Sequence, residues 1–385
     1  MVITHTIICS TCKTKHLLKI TLGREKNQHH AFPCTHCDEE IKFGLEGLPN
    51  KGEYKYLKNC EYLHFGYDEA IQILLHPDLA VGNRVVQAGD ITTAVRLNVE
   101  EMARMGNQST SEKVVVHREK FQNFGSEKLR FYLKIWSLLR NEKNDIARSY
   151  AVENAETVKA EIRDNENLYI VDFLQHFLGE YGLSIYTALE QEWSKVSDGS
   201  TLTDFHAAQD YDEFDIFEEF FDHFSEFSQV FLYLNSGIEI DKKRKSSSTD
   251  FNKTKKYYSS AYEALAKRLY IPAGINNLNE RGDANSFQRL TSLGAYLATG
   301  NGDKLRCLEN SNELNIVASC YDNNLRNASF HNHMKFNPKK SKITYTKNDR
   351  NSCSISYQEY LVRCVKVSEA LAAYKLFSIN QLQQS

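Results

Sequence analysis

The sequence predicts a mainly α protein with β structure near its two ends. Three observations carry this. Only five prolines occur in 385 residues, and long stretches repeat apolar residues at helical steps. Two C-x-x-C pairs lie within the first forty residues. Two short alternating runs stand close to the carboxyl end. The length suits two or three domains. Charge is balanced, with 47 basic and 50 acidic residues, so any nucleic-acid site must be a local patch. No run of about 18 apolar residues occurs, and no basic flank precedes an apolar stretch at the amino end. A cytoplasmic protein with no membrane segment is expected. Nine cysteines then read as metal ligands or reduced thiols.

The first element is a ribbon over residues 1–50. Cys9 and Cys12 are followed after 21 residues by Cys34 and Cys37, a separation that marks a zinc ribbon. Each pair turns two thiolates inward, and two turns close a tetrahedral Zn2+ shell. Strands are expected at 4–8, 17–21 and 40–43. A four-cysteine shell leaves no open position, so the metal is expected to be structural. His36 is expected to be exposed. The remaining cysteines, Cys60, Cys307, Cys320, Cys353 and Cys364, have no paired spacing and read as apolar fillers.

Residues 48–58 read as a polar exit from the ribbon, and 60–105 carry no clear assignment. Helical patterning then dominates, with stripes at 129–139 and 168–177. A third helix is expected at 212–234, with Phe214, Phe217, Phe220, Phe221, Phe224 and Phe227 on its apolar face and Glu226 among the acidic residues of the other. Glu219 and His223 are one helical turn apart and could bind a metal ion on one face, but one such pair lacks enough ligands and reads as part of a solvated acidic face. The segment 239–256 is basic, serine-rich and non-periodic, and reads as a loop. Helices follow at 258–269, ended by Ile271-Pro272, at 287–297 and at 313–328.

The closing segment carries the chemistry. Arg326, Asn327, His331 and His333 fall within eight residues of one another. A hairpin of 342–346 and 352–356 follows, then a helix from Tyr360. Arginine forks onto phosphate oxygens, and histidine trades protons near neutral pH. Asn327 could hydrogen-bond a phosphate oxygen or orient His331. Lys335, Lys339, Lys340 and Lys342 form a basic strip suited to RNA phosphates, and Tyr345 or Phe336 could stack on a base.

Arg326-Asn327, the spacer Ala328-Ser329-Phe330, and His331 resemble the arginine, polar residue, spacer, histidine motif of the HEPN superfamily. With the hairpin and last helix that follow, the segment looks like the abortive-infection branch of bacterial defence proteins. The resemblance covers roughly 205–385 and is strongest over 313–376. In that family a small residue commonly follows the histidine. Here Asn332 and His333 follow, and spacing favours His331 over His333.

The resemblance implies a carboxy-terminal HEPN helical bundle with a small β-hairpin over 205–385, behind a mixed, then helical sensor or regulatory region over 51–204. It further implies a metal-independent endoribonuclease of an anti-phage or toxin system, acting as a homodimer with a composite cleft. A phage-derived trigger, and tRNA or another structured RNA as target, go with that reading. Two alternatives stand beside it: a non-catalytic HEPN module that binds a nucleotide or partner, and a zinc-ribbon nucleic-acid-binding regulator.

Overall fold

A computed structural model describes residues 2–22, 27–47, 52–64, 70–75, 85–86, 126–209, 211–235, 240, 246, 248–311, 313–331, 333–347 and 351–383. The fold is mainly α, with strands in the amino-terminal region and again before the last helix. The chain divides into two compact units, each assembled from three segments: Met1–Ser126, His223–Thr254 and His333–Val362 in one, Glu127–Asp222, Lys255–Asn332 and Arg363–Ser385 in the other. The sequence reading takes contiguous stretches instead. Most of 60–105, left unassigned above, lies outside the described residues.

The first unit holds the ribbon. β1 (Val2–Cys9) pairs antiparallel with β2 (Lys15–Thr21), and β3 (Gln28–Pro33) with β4 (Glu40–Glu46). The three expected strands are present. The polar exit is not, because β5 (Glu53–Lys58) continues the sheet onto β4. Tyr54 and Tyr56 alternate with Lys55, so one face of β5 is aromatic. Tyr54 stacks on His5 at 3.7 Å between ring centroids. β6 (Cys60–Tyr62), β7 (Ile71–Leu75) and β8 (Val85–Val86) complete a five-stranded sheet in the order β6-β1-β2-β7-β8, with β7 parallel to β2.

Eleven buried residues, among them Ile7, Leu18, Phe32, Ile41 and Phe43, make the ribbon's core. Each large apolar side chain in such a core contributes about 1.5–3 kcal/mol. Cys60 belongs to this core, as a filler should.

In the second unit, α1 (Ser126–Arg140), α2 (Asn144–Asn154), α3 (Leu168–Phe177), α4 (Glu180–Trp193) and α5 (Ser200–Ala207) precede α6 (Phe214–Asp222). Its core is aromatic: Phe217 meets Phe173 and Phe177, each at 5.2 Å and edge-on. Trp136 packs against Phe173 and Phe214. The phenylalanine stripe predicted at 212–234 is buried throughout, but the helix breaks at His223, and α7 (Phe224–Asn235) belongs to the first unit. Glu226, expected on the polar face, is buried. Its carboxylate is spent on internal donors: Thr249, Asp250 and Tyr357.

α8 (Phe251–Arg268) takes in the end of the expected basic loop. It stops near the predicted place, but α9 (Tyr270–Arg281) starts at once, with Pro272 in its first turn. A proline there forfeits no hydrogen bond, since first-turn N–H groups have no intrahelical acceptor. Gly282 ends α9 at φ 75°, its N–H on the Leu278 carbonyl. The helix expected at 287–297 shortens to α10 (Leu293–Leu297), started by the Ser292 hydroxyl accepting from the Ala295 N–H.

The segment 313–328 is not one helix. A 3₁₀ stretch, Leu314–Ser319, gives way to α11 (Asn323–Phe330) because the Asp322 carboxylate caps a new start, accepting from Leu325 N–H at 3.0 Å. The hairpin forms as predicted, β10 (Lys342–Thr346) against β11 (Ser352–Ser356). A third strand, β9 (Met334–Asn337), pairs with β10 on its other side. α12 (Tyr357–Phe377) closes the fold. Among the described residues no helix is long and apolar enough to cross a membrane.

Candidate functional site

The two C-x-x-C turns are built alike. After the first, Lys13 adopts φ 60° and its N–H returns to the Cys9 carbonyl at 3.0 Å. After the second, Asp38 adopts φ 61° and its N–H returns to the Cys34 carbonyl at 3.1 Å. This tight reversal is what points both thiols of a pair to the same side.

The four sulfurs of Cys9, Cys12, Cys34 and Cys37 lie within 4.8 Å of one another and could hold a metal ion. Cys9 and Cys37 are 3.8 Å apart, Cys12 and Cys34 3.5 Å. A tetrahedral shell with sulfurs about 2.3 Å from zinc has edges of about 3.8 Å. The Thr14 hydroxyl, 3.1 Å from Cys12 Sγ, holds that thiol down to about 6, whereas burial pushes Cys34 up. His36 is exposed, as expected. His16, which the sequence reading passed over, is fully buried with Nε2 3.2 Å from Thr35 Oγ1 and 3.9 Å from Cys34 Sγ. Its alternating place on β2 was the available signal.

The polar motif sits on α11. Leu325, Ala328 and Ser329 anchor the helix, which leaves Arg326, Asn327 and Phe330 toward its outer side. Phe330 is 64% exposed. His331 ends the helix, its N–H on the Asn327 carbonyl at 2.9 Å, and its ring is exposed edge-on to Phe330 at 5.1 Å.

Arg326 is turned onto its own chain. It forms an ion pair with Glu263 of α8, donates from Nη1 to Asn327 Oδ1 at 2.9 Å, and lies 5.1 Å over the Phe330 ring. Asn327 therefore orients the arginine. Glu263 in turn accepts from Asn301 Nδ2, 3.0 Å from each carboxylate oxygen. The Tyr321 hydroxyl donates to the Asn301 carbonyl at 3.2 Å. Glu263 and Asn301 were missed from sequence, since nothing local marks a carboxylate 63 residues away as the partner of Arg326.

The basic strip divides on folding. β10 alternates, so Lys342 and Thr344 are exposed while Ile343 and Tyr345 are buried. Tyr345 packs opposite Met334 and is no stacking platform. Phe336, half-buried, stacks on Phe251 and leans on Tyr357. Lys339 pairs with Asp38 at 2.7 Å. Lys335, Lys340 and Lys342 remain exposed, as does His333.

No family model, curated protein or solved structure matches this chain.

Proposed function

We propose that the chain is a metal-independent endoribonuclease of a bacterial anti-phage or toxin system, working as a homodimer, with Zn2+ holding its ribbon. The observation that carries this is the end of α11. One helix end presents an exposed imidazole, His331, five residues after a guanidinium whose position is set by Glu263 and Asn327. The HEPN-like spacing of the same residues supports it.

RNA brings its own nucleophile, the 2′-hydroxyl. A histidine takes that proton, the hydroxyl oxygen attacks phosphorus, and the 5′-oxygen leaves with a proton from a second acid. Arginine stabilises the charge gathering on the phosphorane oxygens. Glu263 and Asn327 take one bond from each terminal nitrogen of the guanidinium and Nε is buried, so Arg326 is pre-oriented and meets phosphate with the remaining N–H of each terminal nitrogen. One copy supplies one arginine and one well-placed histidine. Two copies face to face supply base and acid together, with His333 as a further proton carrier. For the ribbon, four soft thiolates at tetrahedral spacing favour zinc.

The test compares wild type with His331→Ala and Arg326→Ala on RNA, with product ends mapped. Products with 2′,3′-cyclic phosphate and 5′-hydroxyl ends, lost in both variants, are expected. One observation favours a second reading. Glu263 already neutralises Arg326, as it would in a motif that binds a nucleotide or partner without cutting. A folded dimer that leaves RNA intact, with and without phage infection products, decides for that reading.

A further inference from the structure

The three-stranded sheet β9–β11 has an inner and an outer face. Met334, Ile343, Tyr345 and Ile355 point inward and are buried. On the outer face is an open cleft of about 370 Å³, lined by Asn337, Lys340, Lys342, Thr344, Ser352 and Ser354, with Cys353 at its edge. Among the described residues the lining holds two ammonium groups, three hydroxyls and an amide, and no carboxylate. Neither Lys340 nor Lys342 forms an ion pair with a described carboxylate, in contrast to Lys339 one residue away. Asn337 Oδ1 accepts from the Lys340 N–H at 3.0 Å, which leaves the amide nitrogen as the end to donate.

Such a set is all donors around one concavity. Two like charges side by side repel each other, and an anion between them relieves that repulsion. Hydroxyls and an amide supply the short, directed bonds that phosphate oxygens accept. Lys335, beyond the cleft, extends the charge along the same face. Lys335 faces Thr344 across the strands and Lys342 faces Asn337, a diagonal offset of roughly 7–8 Å. Charge strung along an open face suits a chain of phosphates better than a single ion.

We propose that this outer face is a phosphate-binding site whose occupant is the backbone of a single-stranded polynucleotide, held by Lys340 and Lys342 with Thr344, Ser352 and Ser354. The assignment rests on the sheet alone, and it stands or falls separately from cleavage at His331.

Binding is measured on the full chain carrying His331→Ala, so that cutting does not intervene. Anisotropy of a short labelled single-stranded RNA is followed against salt, with inorganic phosphate and a mononucleotide as competitors. The double variant Lys340→Gln/Lys342→Gln is expected to bind at least tenfold more weakly. Its plot of log affinity against log salt should be shallower by about 1.4, two phosphate contacts at about 0.7 each. Ser354→Asp, which puts a carboxylate in the cleft, is expected to weaken binding similarly. Lys58→Gln, on the ribbon and paired with Glu40, serves as the control. Unchanged affinity and slope in both cleft variants overturns the site. A mononucleotide that displaces RNA at equal concentration, or binds where RNA does not, overturns the polynucleotide as occupant. Unchanged thermal unfolding of the variants removes misfolding as an explanation.

Discussion

The Tyr357 hydroxyl donates to the Glu226 carboxylate at 2.5 Å, in the interior of the first unit. The same carboxylate accepts from the backbone N–H of Thr249 and of Asp250, immediately before α8 begins. A buried negative charge is thereby spread over donors at a helix start, where the helix dipole also favours it. Burial, with Glu226 beside it, pushes the Tyr357 phenol well above the usual tyrosine range.

Removing one member of this network tests its weight. Tyr357→Phe deletes a hydrogen bond to a buried carboxylate and should cost about 1–3 kcal/mol in a denaturant titration. Glu226→Ala strands four donors at once, the Thr249 hydroxyl among them, and should cost more. A Tyr357→Phe midpoint equal to that of wild type contradicts the network's role.

The Arg326–Glu263 pair makes a kinetic prediction. Glu263→Gln keeps the shape and removes the charge, so Arg326 loses its orienting partner. If RNA cleavage depends on that arginine, kcat should fall by about 10²–10³, as for loss of a preorganised charge-stabilising donor. KM should change little. A Glu263→Gln enzyme with full kcat separates the pair from catalysis.

Acid should weaken the second unit through His206. It is buried, its Nδ1 lies 2.5 Å from the Tyr270 hydroxyl, and burial, aided by Arg268, lowers it from 6.5 to about 4. Between those values the unfolded chain binds the proton and the folded chain does not. Stability is therefore complete above pH 6.5 and is lost as pH falls toward 4, by on the order of 3 kcal/mol. His206→Gln should flatten that part of the pH–stability curve, read by thermal melts across the range.

Metal removal should act on the ribbon. Elemental analysis is expected to find one zinc per chain, and a strong chelator or Cys34→Ser should expose the ribbon's β1 and β2 amides to exchange. The helical far-ultraviolet signal should largely survive, since it arises mostly from the second unit. Exchange unchanged after the metal is stripped contradicts a folding role for the ion.

Lys339 supplies a contrast within the basic strip. Its pair with Asp38 is exposed on both sides, so Lys339→Ala should cost no more than about 1 kcal/mol. Its effect on RNA affinity should be well below that of Lys340→Gln/Lys342→Gln.

Much of this was written locally in the sequence. Cysteine spacing gave the four-thiol cluster, and strict alternation gave the hairpin, because each depends on residues close together in the chain. What failed depended on distant partners. Glu226 looks like any acidic residue on an amphipathic helix until Tyr357 and Thr249 arrive. Tyr345 reads as an accessible aromatic until β9 supplies the strand that fixes which way it faces. The break at Asp322 was legible, since an aspartate three residues before an amide is a capping signal. It was outweighed by a helical stripe running through it.

The interleaving of the two units bears on how the chain is made. Neither unit has all its segments until the ribosome has passed Val362, so the cysteine turns wait for β9–β11 and the first residues of α12 before their unit is whole. A nascent or prematurely terminated chain carries only fragments of each. If the α11 motif is toxic, this chain order delays the hazard until the segment beyond Val362 has been made.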